Sequence, residues 1–96
     1  MKVLVLAQAN ASFRRSLQQL SKHYDRRYLL ALELAVRQKI RWLKDHPGVG
    51  QFEPELAWSN AGHRRLIVRD FKIIYRIEED AIIINDIFDS RQDPGR

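Results

Sequence analysis

Cationic side chains alternate with apolar ones along the C-terminal third of the chain. Lys72 and Arg76 lie four residues apart within the segment 71–78, and Arg64 and Arg65 precede them. Successive side chains of an extended strand point to opposite faces, so Lys72 and Arg76 would share a face and lie about 13 Å apart. Arginine binds phosphate or carboxylate groups in bidentate fashion, and lysine adds a compact positive charge. The pattern predicts a surface that binds a polyanion or an acidic partner.

The same alternation divides the segment 71–78 between the two faces of a sheet. The residues predicted to face the core are Phe71, Ile73, Tyr75 and Ile77. The residues predicted to face solvent are Lys72, Ile74, Arg76 and Glu78. Either Arg64 or Arg65, on the preceding strand, should join that outward face, and the hydroxyl of a buried Tyr75 should be hydrogen-bonded. An exposed antiparallel face is ordinarily polar, so cations that merely pair with acids across the strands are the competing interpretation.

Two helices are predicted between an N-terminal strand and the strands that carry the cations. A short aliphatic run over 3–6 predicts the first strand. Apolar residues recur at intervals of three and four over 8–24 and again over 26–45, which indicates two helices. Asp25 stands where an N-cap belongs, and Pro47 disfavours helical geometry at the residue before it. Because the connection is short, the helices should form an antiparallel hairpin.

A loop and three strands complete the predicted fold. Residues 48–62 hold three of the four glycines and predict a loop, which Phe52 and Trp58 are expected to pin to the body. Strands are predicted over about 63–69, 71–78 and 81–88, joined by tight turns. The chain is therefore predicted to be one α+β domain over 1–96, with an N-terminal strand, an antiparallel helical hairpin and a three-strand antiparallel meander. The predicted core residues of the hairpin are Leu17, Leu20, Leu29, Leu32 and Val36.

The net charge of +5 is unevenly distributed along the chain. Residues 1–48 hold ten Lys and Arg against three Asp and Glu, whereas residues 49–96 hold seven against nine. A basic N-terminal half suggests a nucleic-acid or acidic-protein partner, and a solvated helical face explains it equally well. No cysteine is present, and no stretch approaches the roughly 20 apolar residues of a membrane span. A cytoplasmic protein with no membrane association is expected.

Metal and cofactor chemistry find little support in the sequence. The three histidines, which lack the spacing of metal ligands, are His23, His46 and His63. The acids near the C-terminus, interpreted as solvated side chains rather than a magnesium site, are Asp86, Asp89 and Asp93. The sequence has no Gly-rich phosphate loop and no Ser/His/Asp set. No metal and no cofactor are predicted.

Three sequence blocks, together with the order of the elements, resemble the RelE/ParE superfamily of small bacterial toxins. The blocks are Arg64-Arg65-Leu66-Ile67-Val68, Phe71-Lys72-Ile73-Ile74-Tyr75-Arg76 and Phe88-Asp89-Ser90-Arg91-Gln92-Asp93-Pro94. The resemblance covers nearly the whole chain and implies a β-α-α-β-β-β fold with the sheet curled against a helical hairpin. It also implies the toxin half of a type II toxin–antitoxin pair, of the kind that stabilises plasmids. The implied partner is a cognate antitoxin, whose segment, often acidic, wraps the toxin's groove.

The superfamily contains two mechanisms that the sequence must distinguish. RelE-like members are ribosome-dependent mRNA endoribonucleases that need no metal, whereas ParE-like members inhibit DNA gyrase. The RelE-like reaction needs cations plus an acid/base group, which that branch supplies as a Tyr or His near the C-terminus. Here the corresponding segment Phe88-Asp89-Ser90-Arg91 has neither. Asp89 is the remaining base, and an exposed carboxyl with its usual low pKa is a poor general acid.

This departure favours the ParE-like branch, in which the protein is a gyrase inhibitor and not an enzyme. The residues implied to contact the target are Arg64, Arg65, Lys72, Arg76 and Arg91. In the ribonuclease alternative, the catalytic residues would be Arg65, Lys72, Arg76 and Asp89. Tyr28 and Trp42, beside the helical core, are expected to hold the antitoxin. A further alternative is a non-toxic relative that retains only antitoxin binding.

Overall fold

The computed structural model describes residues 1–92, which form a five-stranded sheet with two α-helices packed on one face. The strands are β1 (Lys2–Val5), β2 (Gln51–Phe52), β3 (Arg64–Val68), β4 (Phe71–Glu78) and β5 (Ala81–Asp89). The helices are α1 (Ala7–Leu20) and α2 (Arg26–Trp42), and two 3₁₀ segments span Leu43–Asp45 and Pro54–Ser59. The α+β class and the order of the predicted elements are confirmed. Asp93 and Pro94, which end the third sequence block, lie outside the described residues.

The order of strands across the sheet is β1-β5-β4-β3-β2. β3, β4 and β5 form the predicted antiparallel meander, and the N-terminal β1 pairs in parallel with β5. The segment 48–62, predicted as a loop, contains the two-residue β2, which pairs with β3, and the 3₁₀ segment Pro54–Ser59. Periodicity could not reveal either pairing, because a four-residue strand and a two-residue strand carry no partner information.

Capping residues fix where α2 begins. The side chain of Asp25 accepts a hydrogen bond from the N–H of Tyr28 at 3.0 Å, so its predicted role as N-cap is confirmed. α1 ends at Leu20, four residues before the predicted end, and Tyr24 instead lies in the connection, where its ring stacks on Tyr28. The helices and the sheet together enclose the main core.

The core lies between the helices and the face of the sheet formed by Phe71, Ile73 and Tyr75 of β4. Phe13 of α1 meets Phe71 edge-to-face, with ring centroids 5.4 Å apart. Three predicted helical core residues, Leu20, Leu32 and Val36, are buried; Leu17 and Leu29 are partly buried against the same cluster.

Two positions on β4 differ from the prediction. Ile74 was expected at the surface but is only 5% exposed, and it lines a cavity together with Leu56 of the segment Pro54–Ser59. Ile77 was expected in the core but is 36% exposed, one residue before the end of the strand. The pairing of β4 with β5 also shifts by one residue between Ile74 and Tyr75. Strict alternation cannot predict burial beside a segment that lies far away in the sequence.

The hydroxyl of Tyr75 joins the core to the loop that follows α2. It accepts a hydrogen bond from the N–H of Gly50 at 2.8 Å and donates one to the carbonyl of Pro47 at 2.9 Å. A Cβ at position 50 would lie 2.6 Å from this hydroxyl and 2.8 Å from the carbonyl oxygen of Arg65, so only glycine fits. The prediction of a buried tyrosine with a bonded hydroxyl is confirmed.

We expect Tyr75→Phe to lower the free energy of unfolding by about 1–3 kcal/mol, because the buried N–H of Gly50 loses its acceptor. Urea denaturation would measure the change. Tyr24→Phe is the matched control, since the Tyr24 side chain is 41% exposed, and it should leave the stability nearly unchanged. Equal stability of both variants would show that the Tyr75 hydroxyl does not hold the loop.

Candidate target-binding surface

The two neighbouring arginines of β3 lie on opposite faces of the sheet. Arg65 pairs with Ile74 in the ladder, whereas Arg64 pairs with the core residue Tyr75. Arg65 therefore joins Lys72 and Arg76 on the face opposite the helical core, which we call the open face. This resolves the choice that the sequence left between Arg64 and Arg65.

Arg64 anchors the loop at the rim of the helical face. Its guanidinium donates to the carbonyl oxygen of Gly50 at 2.7 Å and to that of Gly48 at 3.2 Å. The same group lies 4.2 Å from the centroid of the Phe52 ring. Arg64 is thus spatially separate from the three cations of the open face.

A buried acid, Glu53, lies between two of those cations. Its side chain is 3% exposed, and its carboxylate is 2.8 Å from the Lys72 ammonium and 3.7 Å from the Arg65 guanidinium. Glu53 follows β2 and precedes the segment Pro54–Ser59, and its N–H donates to the carbonyl of His63 at 2.8 Å. Sequence reasoning missed this residue. The signal was its position before a proline, where its carboxylate caps the 3₁₀ segment by accepting from the N–H of Glu55 at 3.3 Å.

The ion pairs determine the protonation of Glu53. Burial alone would raise the pKa of its carboxyl, but the hydrogen bond from Lys72, the N–H of Glu55 and the charge of Arg65 together hold the pKa below its ordinary value. Glu53 is therefore ionised at neutral pH and offsets part of the positive charge of Lys72 and Arg65.

The third cation, Arg76, has a weaker counter-charge. Its guanidinium contacts the carboxylate of Glu78 at 3.0 Å, but the Glu78 side chain is 60% exposed, so solvent screens the pair. Burial and the charge of Arg76 lower the pKa of the neighbouring His63, which is therefore neutral at pH 7. Its Nδ1 lies 3.3 Å from the Ser59 hydroxyl.

A cavity of about 490 Å³ lies on the open face beside these groups. Ile74 and Phe88 contribute apolar lining, and Lys72 lines the cavity together with His63 and the acids Glu53, Glu55 and Asp86. Lys72 thus connects the cations of the open face with a concave, partly apolar surface, a combination suited to a protein partner.

Asp89 and Arg91 form a separate cluster at the end of β5. Asp89 is fully buried, with its carboxylate oxygens 3.1 Å and 2.9 Å from two nitrogens of the Arg91 guanidinium, while its N–H donates to the Ser16 hydroxyl at 3.0 Å. Arg91 also contacts Asp70 at 3.2 Å, and its hydrogen bond to Asp89 raises its pKa. The expectation that Asp89 is an exposed acid is wrong. The two-residue spacing lets Arg91 fold back onto Asp89 and shield it from solvent.

The residues expected to hold the antitoxin lie on α2. Tyr28 is partly buried against the core. Trp42 is 37% exposed, its ring stacks on His46 with centroids 4.1 Å apart, and the Lys39 ammonium lies 4.4 Å from its centroid.

The loop aromatics expected to pin the loop to the body do not do so. Phe52 is 63% exposed and Trp58 is 79% exposed. Glu53, Arg64 and the hydroxyl of Tyr75 perform that task instead, through polar contacts that hydrophobicity does not predict.

Two negative findings apply to residues 1–92. Within this range no group of three or more His, Cys, Asp or Glu side chains is placed to hold a metal ion. No helix in the same range is long and apolar enough to cross a membrane.

Comparison with known proteins identifies a family. The family model for the ParE toxin of the type II toxin–antitoxin system parDE matches residues 9–94. Among solved structures, a chain of the chromosomal ParDE TA system from P. aeruginosa superimposes with a TM-score of 0.74 at 17% identity, covering 93% of this chain and 95% of that one. No curated protein matches the sequence.

We expect the stability of the folded protein to depend on pH through Glu53. A carboxyl with a lowered pKa binds fewer protons in the folded state than in the unfolded state. Its contribution to stability is therefore present above the ordinary pKa of 4.5 and is lost as the pH falls through the folded-state value. Glu53→Gln should lower the free energy of unfolding by about 1–3 kcal/mol at pH 7.

Urea denaturation at several pH values would measure the difference between Glu53→Gln and the wild type. The difference should be constant from pH 7 to about pH 5 and should narrow below pH 4.5. Glu55→Gln, an exposed neighbour, is the control and should show no such gap. A gap that persists unchanged at low pH would mean that the ion pairs of Glu53 do not stabilise the fold.

Proposed function

The chain belongs to the ParE toxin family of type II toxin–antitoxin systems, and from that membership we propose that it inhibits DNA gyrase in the cytoplasm. A cognate antitoxin neutralises it, and the pair stabilises the plasmid or locus that encodes both. The observation that supports inhibition by binding is the composition of the open face. Three cations are ordered there by protein contacts, while Asp89 is buried against Arg91 and the Tyr75 hydroxyl is bonded within the core.

Arg65 is the first candidate for contact with gyrase. Its side chain is 31% exposed, and its distance of 3.7 Å from Glu53 leaves hydrogen-bonding capacity for a partner. Arg76, 26% exposed, is paired with a solvated acid. Lys72, 18% exposed and 2.8 Å from Glu53, contributes mainly by fixing that acid. A row of partly exposed cations is suited to carboxylates on the target.

Arg64 and Arg91 complete the proposed contact set, and both also hold neighbouring parts of the chain in place. Arg64 holds the loop before β2, and Arg91 holds the end of β5 against Asp89. The Arg91 side chain remains 46% exposed, so it can contact gyrase while anchored. Loss of either side chain should therefore affect both local order and binding.

Antitoxin binding is proposed for the flank of α2 that carries Tyr28 and Trp42. Aromatic side chains that are partly exposed at a helix surface supply large contact areas at low entropic cost. An antitoxin segment that is acidic would also compete with the target for Arg65 and Arg76.

A ribonuclease function has one observation in its favour. His63 is neutral at pH 7 and lines the same cavity as Lys72, so it could accept a proton from a ribose hydroxyl. The gyrase proposal is preferred because Glu53 offsets the charge of Lys72, leaving less positive charge to stabilise a phosphorane. Cleavage of mRNA in a translating extract that is lost in His63→Gln would favour the ribonuclease instead.

We expect Arg65→Gln to remove toxicity without unfolding the protein. Induction of the wild-type gene without antitoxin should stop growth and relax a reporter plasmid, because inhibited gyrase no longer introduces negative supercoils. Arg65→Gln should need at least tenfold more inducer to produce either effect, because the variant loses the guanidinium that contacts gyrase. Growth curves and chloroquine gels of the extracted plasmid would measure them.

Lys2→Gln is the control, since Lys2 is exposed on β1 at the opposite edge of the sheet from β2. It should remain fully toxic. An Arg65→Gln protein that is folded and as toxic as the wild type would contradict the role assigned to Arg65. Growth arrest without plasmid relaxation would contradict gyrase as the target.

A further inference from the structure

Most of the positive charge of the N-terminal half lies in the helical layer, on the opposite side of the sheet from the open face. Residues 7–45 hold nine Lys and Arg against three Asp and Glu. One of these acids, Asp25, is engaged as the N-cap of α2, and another, Glu33, pairs with Arg37 at 3.6 Å. The helices therefore carry more positive charge than their own acids neutralise, and the contacts proposed for gyrase make no use of it.

The outward side of α1 carries only polar side chains in the second half of the helix. Phe13, Ser16 and Leu20 are buried on the inner side, and the helix contains no acid. The exposed residues on the outward side are Arg14, Arg15, Gln18 and Gln19, and the exposed Lys22 follows in the connection to α2. No large apolar side chain of α1 is exposed. This side of the helix is therefore a row of hydrogen-bond donors, three of which are cationic.

An arginine of α2 extends this row of donors. The Arg37 guanidinium lies 5.2 Å from the centroid of the Phe13 ring, so it reaches α1 at the turn that also carries Arg14. The Arg15 guanidinium donates to the Ser12 hydroxyl at 3.0 Å, and its five N–H groups allow further hydrogen bonds. We call the whole surface the basic face of α1; its residues are Arg14, Arg15, Gln18, Gln19, Lys22 and Arg37.

We propose that the basic face of α1 binds the phosphate backbone of duplex DNA, without selecting a base sequence. Arginine, lysine and glutamine side chains all donate to phosphate oxygens, and such contacts carry no sequence information. Arg14 and Arg15 are successive residues, so they diverge by about 100° around the helix axis and reach toward different sides of α1. A helix that lies along the major groove, about 12 Å wide, has phosphates on both of its sides. The inference goes beyond gyrase inhibition and does not depend on it.

Other anionic partners fit the basic face of α1 less well. The centre of a stable protein interface is apolar and aromatic, whereas this face exposes no large apolar side chain. A helix that binds an anionic membrane buries an apolar side among the lipids, but the apolar side of α1 is already buried in the core. Duplex RNA has a deep and narrow major groove that does not admit a helix. Charge complementarity and the absence of an apolar centre together favour duplex DNA.

The test measures binding of the purified full chain to a fluorescein-labelled DNA duplex of about 20 base pairs, by fluorescence anisotropy at several salt concentrations. The expected dissociation constant at physiological salt is on the order of 1–100 μM, as for other contacts with phosphates alone. Binding releases the counterions of the phosphates that the protein neutralises. If the four cations of the basic face each neutralise one phosphate, the logarithm of the association constant should fall with the logarithm of salt concentration with a slope of about −3.6.

A double variant locates the binding surface. Arg14→Gln/Arg15→Gln should reduce the slope to about −1.8 and weaken binding at least about tenfold at low salt, because two phosphate contacts are lost. Both side chains are exposed, so the variant should fold, which circular dichroism and the thermal midpoint would verify. Arg65→Gln/Arg76→Gln removes the same charge from the open face, and its DNA affinity and salt slope should equal those of the wild type.

Three results would overturn the inference while leaving gyrase inhibition intact. The first is an anisotropy that does not change when the wild-type protein is added at low salt. The second is DNA binding that Arg65→Gln/Arg76→Gln weakens and Arg14→Gln/Arg15→Gln does not, which would assign DNA to the open face. The third is tighter binding of polyglutamate or of an RNA duplex of the same sequence, which would assign the basic face of α1 to an acidic protein or to RNA.

Discussion

The buried carboxylate of Glu53 is the interaction on which the arrangement of the open face depends. An ionised acid is stable in a nearly dry position only when cations and hydrogen-bond donors surround it. Lys72 at 2.8 Å, Arg65 at 3.7 Å and the N–H of Glu55 fulfil this need. Since Glu53 arrives from the segment after β2, the same contacts fasten that segment over the strands. One acid therefore orders the cations and also builds the wall of the cavity beside them.

This arrangement has two consequences for binding. The side chains of Arg65 and Lys72 are restrained before any partner arrives, which lowers the entropic cost of association. Their positive charge is also partly offset, so a partner must supply carboxylates in well-defined positions to compete with Glu53. Arg76, paired with the solvated Glu78, presents its charge more freely. The open face is thus suited to selective recognition of a protein surface, in contrast to unselective attraction of any polyanion.

The sequence predicted the local elements well because each has a local cause. Asp25 caps α2 by accepting a hydrogen bond from the N–H of Tyr28 in the first turn, and β4 was placed correctly from Phe71 to Glu78 by alternation and turn residues. The parallel pairing of β1 with β5 and the burial of Ile74 beside Leu56 could not be predicted in this way. Both join segments far apart in the chain, and neither leaves a periodic signal.

The candidate site also combines features that the sequence predicted with features that only the fold reveals. Alternation placed Lys72 and Arg76 on one face, but only the ladder register shows that Arg65, and not Arg64, joins them. Asp89, expected to be exposed, is buried because Arg91 pairs with it, and Glu53, which no sequence pattern singled out, is buried because Lys72 pairs with it. From sequence alone, acids in loops and tails are predicted to be exposed to solvent. Only the fold shows which cation lies close enough to pair with each of them.

The most direct test of gyrase inhibition is plasmid supercoiling by purified gyrase, with the purified protein titrated in and the antitoxin added back. If the protein inhibits gyrase, supercoiling falls as the protein is added and returns when the antitoxin is added. Undiminished supercoiling in the presence of folded protein, at concentrations that the antitoxin is shown to bind, would contradict it.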